Sequence, residues 1–140
     1  MSKLLNRAKV NRKIVADNYK LISTDDAYLD SCCFNVQQAI EQALKFLIEI
    51  YGGVHTEDYD AYVQLNKLLE SPVNIPRVSE LHNLANTLNN WKMEAWYSES
   101  FTASIEDLDK AISIADDIIA FADNSIQQLP LSKMERFPEE

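Results

Sequence analysis

One long stretch constrains the fold of this chain more than any other: residues 31–53 read SCCFNVQQAIEQALKFLIEIYGG. Apolar residues recur there at spacings of three and four, the period of an amphipathic helix. A second apolar row widens the arc, so such a helix must contact neighbours on more than one side. Gly52 and Gly53 then predict its end, as a glycine C-cap does. The stretch therefore predicts a long, mostly buried helix over residues 26–51.

The composition also favours helices. The 140 residues include only two glycines and four prolines, too few for a turn-rich all-β fold. Apolar residues make up 46%, which predicts a packed globule of one domain that needs no metal or disulfide. The adjacent Cys32 and Cys33 are expected to be reduced, buried thiols. No apolar run could span a membrane and no signal core is evident, so we expect a cytoplasmic protein.

Four further segments carry helical signals. The predicted helices cover residues 3–22, a shorter 55–70, a stripe from Pro76 to Ala95, and 105–124. Residues 71–76 form the clearest linker, residues 96–104 a junction, and Ser104 with Asp107 a capping box. Together these features predict an all-α protein, an antiparallel four- to five-helix up-and-down bundle. We expect the domain to cover residues 1–125, with a flexible tail over 126–140.

Charge is distributed unevenly along the chain. Residues 1–20 contain six basic residues and one acidic residue, a charge of +5, while the rest contains seven basic and twenty-one acidic residues, a charge of −14. The total of −9 argues against broad, non-specific nucleic-acid binding. A basic first helix could still contact phosphate, or its charges could pair with acidic neighbours.

Most common enzyme chemistries lack their residues here. The chain has no glycine-rich phosphate loop, no Cys/His set with zinc spacing, no Glu-x-x-His pair and no G-x-S-x-G motif. We therefore expect no metal and no cofactor.

The second helix contains a recognisable motif. Its segment FNVQQAIEQALKFLI resembles the signature helix of the HEPN family, small helical bundles named for proposed nucleotide binding. The matching residues are an aromatic, paired glutamines and A-x-E-x-x-x-K: Phe34, Gln37, Gln38, Ala39, Glu41 and Lys45. The order of the other parts is similar as well, over residues 3–125. The resemblance implies a homodimer, a small nucleotidyltransferase or toxin–antitoxin partner, and nucleotide or RNA as ligand.

The polar residues of this helix allow a plainer interpretation. Glu41 and Lys45 are also an ordinary i,i+4 pair of the kind found on helix surfaces. Gln37 and Gln38 could hydrogen-bond a loop or a partner helix, or face solvent.

Many HEPN members are metal-independent ribonucleases that use an arginine followed after four to six residues by a histidine. The histidine moves a proton and the arginine stabilises the phosphate charge. Here Arg77 and His82 have such a spacing. Their side chains would diverge on a regular helix unless Arg77 lies in the turn after Pro76. The family's usual arginine position, just before the last helix, is occupied by Trp96, and no histidine follows it.

The candidate ligand-binding residues are Lys45, Trp96 and Tyr97. Aromatic rings can stack on bases, although Trp91, Trp96 and Tyr97 also fit core or interface positions. Lys45, Arg77 and the basic first helix are expected near any anionic ligand. His55 is interpreted as a loop or capping residue.

Three functional hypotheses follow. The first, which we favour, is a non-catalytic HEPN-like dimerising interaction domain. The second is a HEPN-like metal-independent endoribonuclease that uses Arg77 and His82 across a dimer. The third is an unrelated helical adaptor whose long helix only mimics the signature.

Overall fold

The computed structural model describes residues 3–51, 65–66, 68–69, 73–95, 99, 101 and 103–127. This part of the chain contains four long helices and no strand: α1 (Leu4–Tyr19), α2 (Ala27–Ile50), α3 (Val78–Glu94) and α4 (Ile105–Gln127). The prediction of an all-α helical bundle is confirmed.

Helix α2 contacts each of the other three helices. Polar contacts between helices define their directions: Asn11 to Gln42 (2.9 Å), Asn18 to Ser31 (3.1 Å), Lys9 to Asp123 (2.7 Å) and Tyr19 to Asp109 (2.7 Å). Thus α1 is antiparallel to both α2 and α4, and the latter two point the same way.

Helix α2 is buried because neighbours surround it. All residues from 43 to 48 are buried, and both predicted apolar rows contribute to the core. The largest enclosed side chains of α2 are Phe46, Ile40, Leu44, Leu47 and Ile50. The helix ends at Ile50, two residues before Gly52, and the predicted glycine cap itself lies outside the described residues.

Side-chain oxygens accept backbone N–H groups at the starts of two helices, α2 and α4. The backbone N–H of Asp107 donates to Ser104 Oγ at 3.0 Å, as the capping box predicts. At the start of α2, the N–H of Ala27 donates to Asp25 Oδ1 at 2.9 Å, whereas Asp26, the residue immediately before the helix, makes no side-chain cap hydrogen bond. Each cap satisfies a backbone donor that the helix cannot satisfy internally.

The basic residues of α1 partly pair with α4, one of the two outcomes the sequence left open. Lys9 contacts Asp123 and Arg12 contacts Asp116, both at 2.7 Å. The prediction of buried, unbridged cysteines is also confirmed. Burial raises the pKa of the Cys32 thiol to about 11 and that of Cys33 to about 12.

Several predictions fall mostly on residues that are not described. The short third helix is represented by helical residues 65–66 and 68–69, with Leu65 and Leu68 buried. Most of the 96–104 junction and residues 128–140 of the proposed tail lie outside the described part. Helix α4 continues to Gln127, past the predicted boundary at 125. None of the described helices combines the length and apolar character needed to cross a membrane.

Candidate functional site

Arg77 immediately precedes α3 and has an unusual backbone conformation. Its φ of 60° and ψ of 30° lie in the left-handed region, where no other non-glycine residue of the described chain has a positive φ. A residue with a Cβ atom adopts this region only at an energetic cost. The carbonyl of Arg77 nevertheless accepts the first helical hydrogen bond, from the N–H of Leu81 at 2.9 Å. Arg77 therefore lies in the turn after Pro76, the location that the predicted pair with His82 required.

The guanidinium of Arg77 is directed at α4. Its Nε and Nη2 donate to the two carboxylate oxygens of Glu80 at 2.8 and 2.6 Å. Its Nη1 donates to Ser113 Oγ and to Asp117 Oδ2, each at 2.8 Å. We call these four residues the Arg77 cluster. The cluster holds one cation between two carboxylates, so its formal charge is −1.

Hydrogen bonding changes the protonation equilibria of this cluster. The hydrogen bonds to Glu80 and then to Asp117 raise the pKa of Arg77 above its ordinary value. The same bond from Arg77 lowers the pKa of Glu80. The arginine thus remains a cation, and four of its hydrogen bonds are already directed to protein oxygens.

His82 lies on a different side of α3 from these contacts. Two residues of a regular helix correspond to about 200°, so His82 is turned away from Glu80. His82 is half-buried, whereas Glu80 is exposed. Arg77 and His82 are close in sequence, but the Arg77 guanidinium is not directed towards the side of α3 on which His82 lies.

A second charged cluster lies inside the bundle. Glu41 is only 2% exposed, and its Oε1 lies 2.8 Å from Lys92 Nζ and 3.3 Å from Lys45 Nζ. The amide of Gln37 donates to the other carboxylate oxygen, Oε2. We call Gln37, Glu41, Lys45 and Lys92 the interior cluster. Two cations around one carboxylate give it a formal charge of +1.

This geometry corrects one interpretation of the signature residues. Glu41 and Lys45 do contact each other at i,i+4, but they are buried and so are not a surface pair. Gln37 is buried too, and it bonds Glu41 of its own helix rather than a loop or another helix. Gln38 donates to Gln37 Oε1 at 2.7 Å. The polar set of α2 is therefore an internal network that Lys92 links to α3.

Lys92 was not identified from the sequence. Its side chain is 28% exposed, so it connects the interior cluster to the surface. The available signal was its position four residues after Leu88, on the apolar stripe of α3. A lysine on a buried stripe needs a buried acceptor, and Glu41 provides one.

The structure describes only some of the remaining predicted residues. Trp91 is 3% exposed and belongs to the core. Trp96, Tyr97 and His55 lie outside the described residues, so their predicted roles stay predictions. In the described part of the chain, no group of three or more His, Cys, Asp or Glu side chains could hold a metal ion.

Comparison with known proteins identifies the family of this chain. The family model of the HEPN domain matches residues 1–125. No curated protein and no solved structure matches the chain.

Proposed function

This chain belongs to the HEPN domain family, and from that premise we propose that it is a dimerising interaction domain without catalysis of its own. The single observation that supports this proposal best is the state of Arg77. Its guanidinium is hydrogen-bonded to two carboxylates and a hydroxyl, all within its own subunit.

A ribonuclease arginine must stabilise charge that develops on the phosphate. In the Arg77 cluster, the carboxylates of Glu80 and Asp117 already outnumber the single cation. The cluster as a whole is therefore negative and repels an anion. A phosphate would have to displace both carboxylates before the Arg77 guanidinium could donate hydrogen bonds to it. Such a site is suited to joining α3 to α4 rather than to binding RNA.

The interior cluster is the better candidate for an anionic ligand. Its two lysines lie beside one largely buried carboxylate, and the positive charge of such a pair of lysines attracts an anion. Lys45, predicted as a ligand residue, is held there beside the partly exposed Lys92. We propose a nucleotide or an RNA phosphate as the ligand, with Trp96 and Tyr97 as candidate stacking residues. The proposed protein partners are a second copy and a small nucleotidyltransferase or toxin–antitoxin component.

The test is incubation of RNA with the purified protein in EDTA, beside Arg77→Ala and His82→Ala variants. Light scattering over a concentration series gives the oligomeric state of each protein. We expect a reversible dimer that leaves the RNA intact. Cleavage by the parent that is lost in both variants would overturn the non-catalytic assignment, and a strictly monomeric parent would overturn dimerisation.

A metal-independent ribonuclease is the second candidate. The observation that favours it is the left-handed conformation of Arg77, which frees this residue from helical geometry. Under this alternative, a double Glu80→Gln, Asp117→Asn variant should cleave RNA faster, because the guanidinium would be released for phosphate. Unchanged RNA in that variant would count against the alternative.

A further inference from the structure

A cavity of about 250 Å³ lies between α3 and α4, next to the Arg77 cluster. These two helices contact each other less extensively than either contacts α2, so a space between them remains open. Two core side chains, Leu84 and Ile114, provide its apolar part. The polar side chains that line it come from both helices: Glu80, Asn83 and Thr87 of α3, and Asp107 and Lys110 of α4. We call the space enclosed by these residues the α3–α4 cavity.

The lining residues belong to one face of each helix. Those of α3 span residues 80–87 and those of α4 span residues 107–114, and in both rows the spacings of three and four place them on successive turns. The cavity is therefore formed by two regular helices and not by a loop. Side chains held on helices keep a fixed arrangement, which is what a binding site for a small ligand needs.

Three polar side chains of the cavity have no hydrogen-bond partner within the described part of the chain. They are the amide of Asn83, the hydroxyl of Thr87 and the carboxylate of Asp107. The backbone N–H of Asp107 donates to Ser104 Oγ, but the Asp107 carboxylate accepts no bond in return, as it would in a complete capping box. All three groups can accept a hydrogen bond, so the cavity offers three acceptors to a donor that enters it.

The charges around the cavity favour a cation. Among the lining residues, the carboxylates of Glu80 and Asp107 accompany the single ammonium of Lys110, a sum of −1. The hydrogen bond from Arg77 lowers the pKa of Glu80, so this carboxylate stays ionised at neutral pH. The charged partners just outside the cavity add one positive and two negative charges: Arg77, Asp117 and Glu106. A ligand with one positive charge reduces this imbalance, whereas an anion increases it.

We propose that the α3–α4 cavity binds a small aliphatic amine in its ammonium form. An alkylammonium has three N–H donors, which match the acceptors of Asn83, Thr87 and Asp107. Its hydrocarbon part would lie against Leu84 and Ile114 and lose contact with water. Like a lysine side chain, such an amine keeps its proton at neutral pH. The cavity is smaller than the roughly 300 Å³ at which pockets for drug-sized ligands begin, so the ligand is small.

Titration of the protein with butylamine, followed by amide chemical shifts at neutral pH, tests the proposal. Butan-1-ol and butanoate have the same chain length and serve as the neutral and the negatively charged control ligands. Asp107→Asn removes the carboxylate charge with little change in shape, and Asn83→Trp fills the cavity from an exposed position. The matched control is Asp17→Asn, the same substitution at an exposed residue of α1 outside the cavity. Circular dichroism checks the folding of each variant.

We expect saturable shifts with butylamine, largest at residues 80–87 and 107–114, and affinities at least about tenfold lower for the two control ligands. Asp107→Asn should raise the dissociation constant of butylamine about tenfold, because a charged hydrogen bond is lost, and Asn83→Trp should abolish binding. Asp17→Asn should bind like the parent.

Three results would overturn the proposal. They are the absence of saturable shifts in the parent up to about 10 mM butylamine, equal binding of butanoate, and full affinity in the Asp107→Asn variant. Largest shifts outside the α3–α4 cavity would overturn it as well. Neither the oligomeric state nor RNA cleavage enters these measurements, so a failure here leaves the function proposed above standing.

Discussion

The interior cluster and the Arg77 cluster contain the same kinds of charges in opposite proportions. The first has two lysines around one buried carboxylate, and the second has one arginine between two exposed carboxylates. The net charges are +1 and −1. The two clusters also differ in solvent exposure, since Glu41 is 2% exposed whereas the Asp117 side chain is 50% exposed. The comparison teaches that the arginine of the expected spacing is held by two carboxylates, whereas the interior cluster has more cations than carboxylates.

Replacing Glu41 should have the largest effect. A Glu41→Gln substitution leaves the buried Lys45 and the partly exposed Lys92 without the carboxylate that they share, and removing one partner of a buried ion pair costs about 3 kcal/mol of unfolding free energy. Urea denaturation monitored by circular dichroism measures this loss. The matched control is Glu80→Gln in the Arg77 cluster, which is exposed and should change stability little. Equal effects of the two substitutions would remove the distinction between the clusters.

The stability contrast was only partly predictable from sequence. Apolar spacings of three and four predicted α2 and α4, and the capping box of Ser104 and Asp107 predicted the start of α4. Both signals are local properties of the chain. The burial of Glu41 depends on Lys92, which lies 51 residues away in α3. Likewise the Arg77 cluster needs Ser113 and Asp117 of α4. Such contacts follow from how helices pack, which periodicity alone does not specify.

Anion binding should distinguish the same two clusters. Lys92→Met removes half of the positive charge of the interior cluster and should weaken ATP binding about tenfold, a typical loss for a charged contact of about 1.4 kcal/mol. Isothermal titration calorimetry measures the affinity. Arg77→Met is the matched control and should leave it unchanged. If only Arg77→Met weakened ATP binding, the Arg77 cluster would be the binding site, and our assignment of the ligand to the interior cluster would be wrong.

The backbone of Arg77 provides a smaller effect that can be isolated. Both Arg77→Gly and Arg77→Ala remove every side-chain contact of the cluster, but only alanine retains the cost of the left-handed conformation. The glycine variant should therefore have a folding equilibrium constant about fivefold higher than the alanine variant. Comparing their urea midpoints tests this difference. Identical midpoints would mean that the turn relaxes when the guanidinium contacts are lost.

The smallest expected effect is on the titration of Glu80. Its hydrogen bond with Arg77 lowers the pKa of Glu80, so the stabilisation is present above the pKa of an unfolded glutamate. It is lost as the pH falls through the lower folded value. Carbon NMR of the carboxyl should show this shift, and Arg77→Met should abolish it. Asp30, whose pKa is raised chiefly by burial, is the internal control and should titrate identically in both proteins.

The most direct test of the central claim is to map where ATP binds by amide chemical-shift changes in the parent protein. The account predicts that the largest shifts occur around residues 41–45 of α2 and around Lys92 of α3, with residues 77–82 and 113–117 nearly unaffected. Largest shifts at residues 77–82 and 113–117 would contradict it, because the Arg77 cluster would then be the anion site and the ribonuclease alternative would gain its substrate-binding arginine.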